Sequence, residues 1–159
     1  MQQVVRAMEL QEAMEMWQYS CKNFVSIFKG EEPEDQRAYE AFNLLERCME
    51  SLLIGTTLYH VNDETDTFPN AWVPASRSLE GLLYYRQMQN KDSPDEICKY
   101  TIASDNVKGI TIVSGRHLDK QEEVLLERRS NLTFDHKERV HIKVEGKSVC
   151  LLHYNVSKS

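Results

Sequence analysis

A carboxylate at the mouth of an apolar strand is the residue in this chain best placed to do chemistry. Gln121-Glu122-Glu123-Val124-Leu125-Leu126 supplies it. Side chains alternate faces along a strand, so Gln121 and Glu123 point one way and Glu122 the other. Val124 to Leu126 is an unbroken apolar run, the mark of a buried strand. A carboxylate entering such a strand is partly desolvated and needs a partner or a task. The same pattern also reads as an edge glutamate in water.

Two further segments carry polar groups in useful order. In Ser76-Arg77-Ser78, an extended backbone puts both hydroxyls on one face and Arg77 on the other. Two hydroxyls can orient a carboxylate or a ribose. Leu79-Glu80-Gly81-Leu82-Leu83 follows, so Ser78 equally reads as a helix N-cap, and the two readings are compatible. His60 closes Thr57-Leu58-Tyr59-His60, where an imidazole can meet a ribose hydroxyl or a phosphate oxygen, or can be a partly buried structural histidine. His117, His136, His141 and His153 show no ligand spacing, and Cys21, Cys48, Cys98 and Cys150 form no CxxC pair. No metal is therefore expected. The cysteines read as buried thiols in a reducing compartment.

The elements that must hold these residues follow from periodicity. Residues 3–29 lack Gly and Pro, and Leu10, Ala13, Trp17, Cys21, Phe24 and Phe28 step by three or four, predicting a helix that Gly30 stops. A second helix opens at Glu31-Glu32-Pro33-Glu34-Asp35 and runs through Tyr39, Phe42, Leu45, Met49, Leu52 and Leu53 to Gly55. Beyond Gly55 the texture becomes β-branched and aromatic. Strands are predicted at 56–61, 71–73, 97–103, 109–114, 122–126, 131–134, 139–144 and 148–156, with a helix at 79–89 and a hairpin at Gly146. Helices first and strands afterwards is α+β segregation, with a β-sandwich-like mixed sheet as the core.

The 159 residues suit one domain, helical over 1–55 and β-rich over 56–159. A net charge of -6 argues against a phosphate-backbone partner, so no nucleic acid is expected. No apolar run spans a membrane and no signal-peptide core opens the chain, so a soluble protein is expected.

Taken in order, these segments resemble the arginine, serine and glutamate motifs of the mono-ADP-ribosyltransferase superfamily. Thr57-Leu58-Tyr59-His60 is similar to the family's Leu-Tyr-Arg strand with His for Arg. Ser76-Arg77-Ser78 resembles Ser-Thr-Ser with Arg at its centre. Gln121-Glu122-Glu123 resembles Glu-x-Glu with Gln first, and Asn131-Leu132-Thr133-Phe134 resembles the strand that follows. The likeness covers about residues 36–156 and implies the fold and chemistry of that family: NAD as substrate, with ADP-ribose passed to a side chain of a target protein. Glu123 takes the catalytic position, stabilising an oxocarbenium-like ribose. Gln121 takes the position that positions the acceptor. Family members that modify arginine usually carry Glu there, and some clostridial exoenzymes that modify asparagine on Rho GTPases carry Gln. An amide is a poor base, so the resemblance implies an acceptor other than arginine. His60, Ser76, Ser78 and Tyr59 would hold NAD, and the loop 114–120, with His117 and Leu118, would meet the target. The resemblance is to bacterial toxins and effectors, implying delivery into a host or target cell and action in its cytoplasm. A degenerate member, binding a peptide or protein in the cleft without turning NAD over, is the alternative reading of His60 and Arg77.

Overall fold

The computed structural model describes residues 6–92, 94–113, 122–128, 130–142 and 146–158. Contacts gather the chain into two compact units, Met1–Met49 and Glu50–Ser159.

The first unit is a helix pair. Helix α1 spans Leu10–Phe28 and α2 spans Arg37–Arg47. The apolar stripe of α1 buries Ala13, Trp17, Phe24 and Phe28, as helical spacing requires. Leu10 and Cys21 fall outside it and are exposed. The helix is kinked at Ser20, whose φ of -141° and ψ of 39° are not helical, and this shifts the stripe past Cys21. Residues 6–9 precede the helix, so it starts later than its lack of Gly and Pro suggests. Gly30 ends the segment at φ +77°, a left-handed turn that frees Glu31 N–H to donate to Ser26 O at 2.8 Å. Trp17 meets Phe24 edge-on, and Phe28 meets Phe42. The buried face of α2 is Ala38, Ala41 and Leu45, while Tyr39 is exposed.

The second unit carries the sheet. Its strands are β1 (Glu50–Ser51), β2 (Thr57–His60), β3 (Val73–Ser76), β4 (Glu96–Ile102), β5 (Lys108–Thr111), β6 (Glu123–Leu126), β7 (Asn131–Ile142) and β8 (Lys147–Ser157); helix α3 is Leu79–Met88. They join in the order β1-β5-β6-β3-β2-β4-β8-β7. Every described pairing is antiparallel except β4 with β8, which makes the sheet mixed. The architecture is α+β.

Three boundaries shift where a ladder outcompetes local preference. The second helix does not reach Leu53: it ends at Arg47, Glu50–Ser51 pair with β5, and Leu52 N–H donates to Val107 O at 2.8 Å. Strand β3 begins at Val73, not at Ala71, and runs through Pro74 to Ser76. The segment 131–134 and the described part of 139–144, up to Ile142, are one strand, β7, with a bulge between Phe134 and His136 that carries it across the polar stretch while β8 pairs along its length. Close approach also constrains β5. A Cβ on Gly109 would lie 3.0 Å from Leu125 O, so two strands meet there on glycine alone.

The sheet is apolar on both faces. Leu58, Ala75, Tyr100, Val124 and Leu126 belong to one buried cluster. Ile97, Val149 and Leu151 belong to another, capped by Leu82 and Leu83 of α3. Neighbouring residues of one strand therefore enter different cores. Of the cysteines, Cys98 is buried, Cys48 and Cys150 are half-buried and Cys21 is exposed, so the expectation of four buried thiols is corrected. Among the described residues no helix is long and apolar enough to cross a membrane.

Candidate functional site

Register places three of the residues singled out above in one row. Tyr59 of β2 lies opposite Ser76 of β3, and Ser76 lies opposite Glu123 of β6. Directly opposed residues share a face, so these three side chains emerge on the same side of the sheet. That side is opposite the cluster of Leu58, Ala75 and Val124, the chain neighbours of the three.

Each member of the row is fixed by its backbone. Ser76 is fully buried; its hydroxyl donates to Ser78 O at 2.9 Å and accepts from Ser78 N–H at 3.1 Å, closing a tight turn. Ser78 caps α3, its Oγ accepting from Gly81 N–H at 2.9 Å. The cap expected of Ser78 forms, and the turn closed by Ser76, which the sequence reading did not include, coexists with it. Glu123 is half-buried, and its carbonyl accepts from Ile112 N–H at 2.9 Å. Tyr59 is half-buried against the second cluster, with Lys99 Nζ 5.9 Å from its ring centroid.

Glu122 corrects the strand reading. It has φ +50°, the left-handed region, and β6 starts only at Glu123. Strict alternation therefore does not hold across Glu122, and Glu123 is aimed by this bend and by pairing with Ser76. The bend is held by Arg77 N–H, which donates to Glu122 O at 3.1 Å. The exposed Arg77 guanidinium reaches Thr111 Oγ1 at 3.5 Å. Gln121, His117 and Leu118 lie outside the described residues.

His60 is not in this row. It follows Tyr59 directly, so it enters the other core, where it is 2% exposed and its ring stacks on Tyr100 at 6.0 Å. Nδ1 lies 2.7 Å from Pro74 O, and Nε2 lies 3.0 Å from both carboxylate oxygens of Asp66. Both ring nitrogens thus face oxygen acceptors within the protein. Asp66 also accepts from Arg128 Nη1 at 2.8 Å and from Asp63 N–H at 2.7 Å. Burial pushes the Asp66 carboxyl up, but the hydrogen bond and charge of His60, then the bonds from Asp63 and Arg128, outweigh it and hold the pKa at about 2.

Sequence reasoning missed Asp66 and Arg128. Asp66 carried a signal: Asp63 and Asp66, three apart, form a reciprocal capping box on the short 3-10 turn Glu64–Thr67. Arg128 carried none, since its partner is 62 residues away in the chain. Among the described residues no cluster of three potential metal ligands occurs.

No protein-family model matches the chain, and no curated protein matches it by sequence. Solved structures do resemble it. Plx2a, an ADP-ribosyltransferase toxin from Paenibacillus larvae, superposes with a TM-score of 0.59 at 11% identity, over 94% of this chain and 86% of that one. BECa, an ADP-ribosylating toxin of a C. perfringens binary enterotoxin, solved with NADH, gives 0.58 at 11% identity over 97% of this chain; the match spans only 43% of BECa. Vis toxin, an ADP-ribosyltransferase from Vibrio splendidus, gives 0.52 at 12% identity, over 94% of this chain and 73% of its own. The chain has the fold of the ADP-ribosyltransferase toxins.

Proposed function

We propose that this chain transfers ADP-ribose from NAD to a side chain of a target protein. The observation that carries the reading is the direct cross-strand pairing of Ser76 with Glu123, in a fold shared with ADP-ribosyltransferase toxins. Cleavage of the bond between nicotinamide nitrogen and ribose C1′ sends the electron pair to nicotinamide and leaves positive character on the sugar. The Glu123 carboxylate stabilises that charge and accepts from the ribose 2′-hydroxyl. Ser76, locked by its turn, keeps β3 in place beneath Glu123. Tyr59 and Ser78 flank the same face and contact NAD. Gln121 orients the acceptor, which is not arginine because an amide does not deprotonate a guanidinium. The loop bearing His117 and Leu118 meets the target protein. The acceptor attacks C1′ and completes the transfer. Action in a target cell after delivery belongs to the same proposal.

One observation favours a second reading, a fold that binds a protein or peptide without turnover. His60, at the position where the resemblance implies a cation for NAD phosphate, is buried with both ring nitrogens engaged. Incubation with labelled NAD, with and without cell extract, separates the two. The transferase reading expects nicotinamide release and labelled protein from the wild type, and a loss of about 100-fold or more in Glu123→Ala. Wild type that neither hydrolyses NAD nor labels protein sinks it. Calorimetric titration of that inactive protein with NAD then shows whether binding survived.

A further inference from the structure

The ladder between β3 and β6 has two ends. Ser76 and Glu123 close one end, and Val73 and Leu126 close the other. Val73 and Leu126 belong to the cluster on the opposite face from Ser76 and Glu123. There they line a cavity of about 230 Å³, walled also by Tyr100 and Tyr154. These two tyrosines are paired across β4 and β8, with rings edge to face at 5.9 Å.

The geometry points to a second ligand site in this cavity, for a small neutral aromatic molecule bearing one hydrogen-bonding group. Three features define the class. The size admits one substituted ring, since an apolar cavity of about 150 Å³ takes a benzene. The aromatic walls suit an edge-to-face or offset partner. The charges on the lining are already paired: Asp66 is held by His60 and Arg128, and Glu127 accepts from Lys158 Nζ at 2.6 Å and from Lys108 N–H at 3.0 Å. A charged ligand would have to break one of these pairs, and a neutral one need not.

Ser130 supplies the polar anchor. It lines the cavity, and its Oγ is buried with no hydrogen-bond partner among the described residues. Buried hydroxyls are nearly always satisfied, so a lone one beside an open volume marks where a ligand atom completes the bond. The inference is independent of transfer chemistry, because only binding is read.

The test uses phenol, toluene and cyclohexanol as probes, followed by NMR of the Leu126 and Leu132 methyl groups. Phenol is expected to saturate with a Kd of about 1 mM or tighter. Toluene, which cannot satisfy Ser130, is expected to bind about tenfold more weakly, and cyclohexanol also more weakly for want of a ring. Ser130→Ala brings phenol to the level of toluene. Leu132→Trp, at a lining residue that is 48% exposed and tolerant of bulk, weakens all three. Phenol shifts that never saturate overturn the site. So do equal affinities of phenol and toluene in the wild type, or phenol binding unchanged in both variants.

Discussion

Two carboxylates on opposite faces of one sheet live in contrasting circumstances. Asp66 is surrounded by donors: His60 from β2, Arg128 from beyond β6 and the backbone of Asp63. Glu123 stands half-buried at the first position of β6, opposite a serine already committed to its own turn. The Asp66 arrangement is what a carboxylate that holds structure together looks like, with every oxygen engaged and the pKa driven down. The Glu123 arrangement is set by the left-handed Glu122 before it and by strand pairing with Ser76. Adjacent residues of β2 divide between them: Tyr59 belongs with Glu123 and His60 with Asp66.

Four measurements break or sharpen this contrast. The largest effect is on stability. Asp66→Ala leaves His60 and Arg128 without their shared acceptor and costs about 3 kcal/mol in denaturant unfolding. Glu123→Ala costs less than about 1 kcal/mol. Equal losses would erase the contrast between the two carboxylates. Next is acid. Because the folded pKa of Asp66 lies below its unfolded value near 4, its contribution is present above pH 4 and is lost as pH falls through about 2. Wild type therefore loses about 2 kcal/mol relative to Asp66→Asn across that window; parallel pH curves for the two proteins would contradict the assignment. Third, Ser76→Ala removes a buried hydroxyl that serves Ser78 twice, and about 1 kcal/mol of stability is expected to go with it. In the transferase reading NAD turnover falls further than that loss of folded protein explains. The smallest effect is at the cap: Ser78→Ala exposes the Gly81 N–H at the start of α3 and lowers the unfolding free energy by about 1 kcal/mol or less. A thermal midpoint unmoved by that change would show that α3 is held by its apolar face alone.

Much of the contrast was legible in the residues. The apolar run Val124 to Leu126 announced a buried strand, and all three residues are buried. The serine before Leu79 announced a helix cap, and Ser78 forms it. The order of helices and strands announced an α+β chain, and the fold is shared with ADP-ribosyltransferase toxins at 11–12% identity. Other points were not legible. Glu122 looks like a strand residue by type, and only the path of the chain into β6 gives it a positive φ. Glu50 and Ser51 continue a helical pattern locally, yet pair with residues 108 and 109.

The sequence by itself determined where the apolar runs, caps and turns fall, because those depend on residues within a few positions of each other. It also determined that a glutamate would open a buried strand. Which residues stand beside that glutamate was decided only by tertiary structure, through strand order and register. A shift of one residue between β2 and β3 would exchange Tyr59 and His60 across the sheet, and no local pattern fixes that shift. The partners of His60 follow the same logic. Asp66 is six residues away and could be guessed, but Arg128 reaches it across 62 residues and is supplied only when the sheet has assembled.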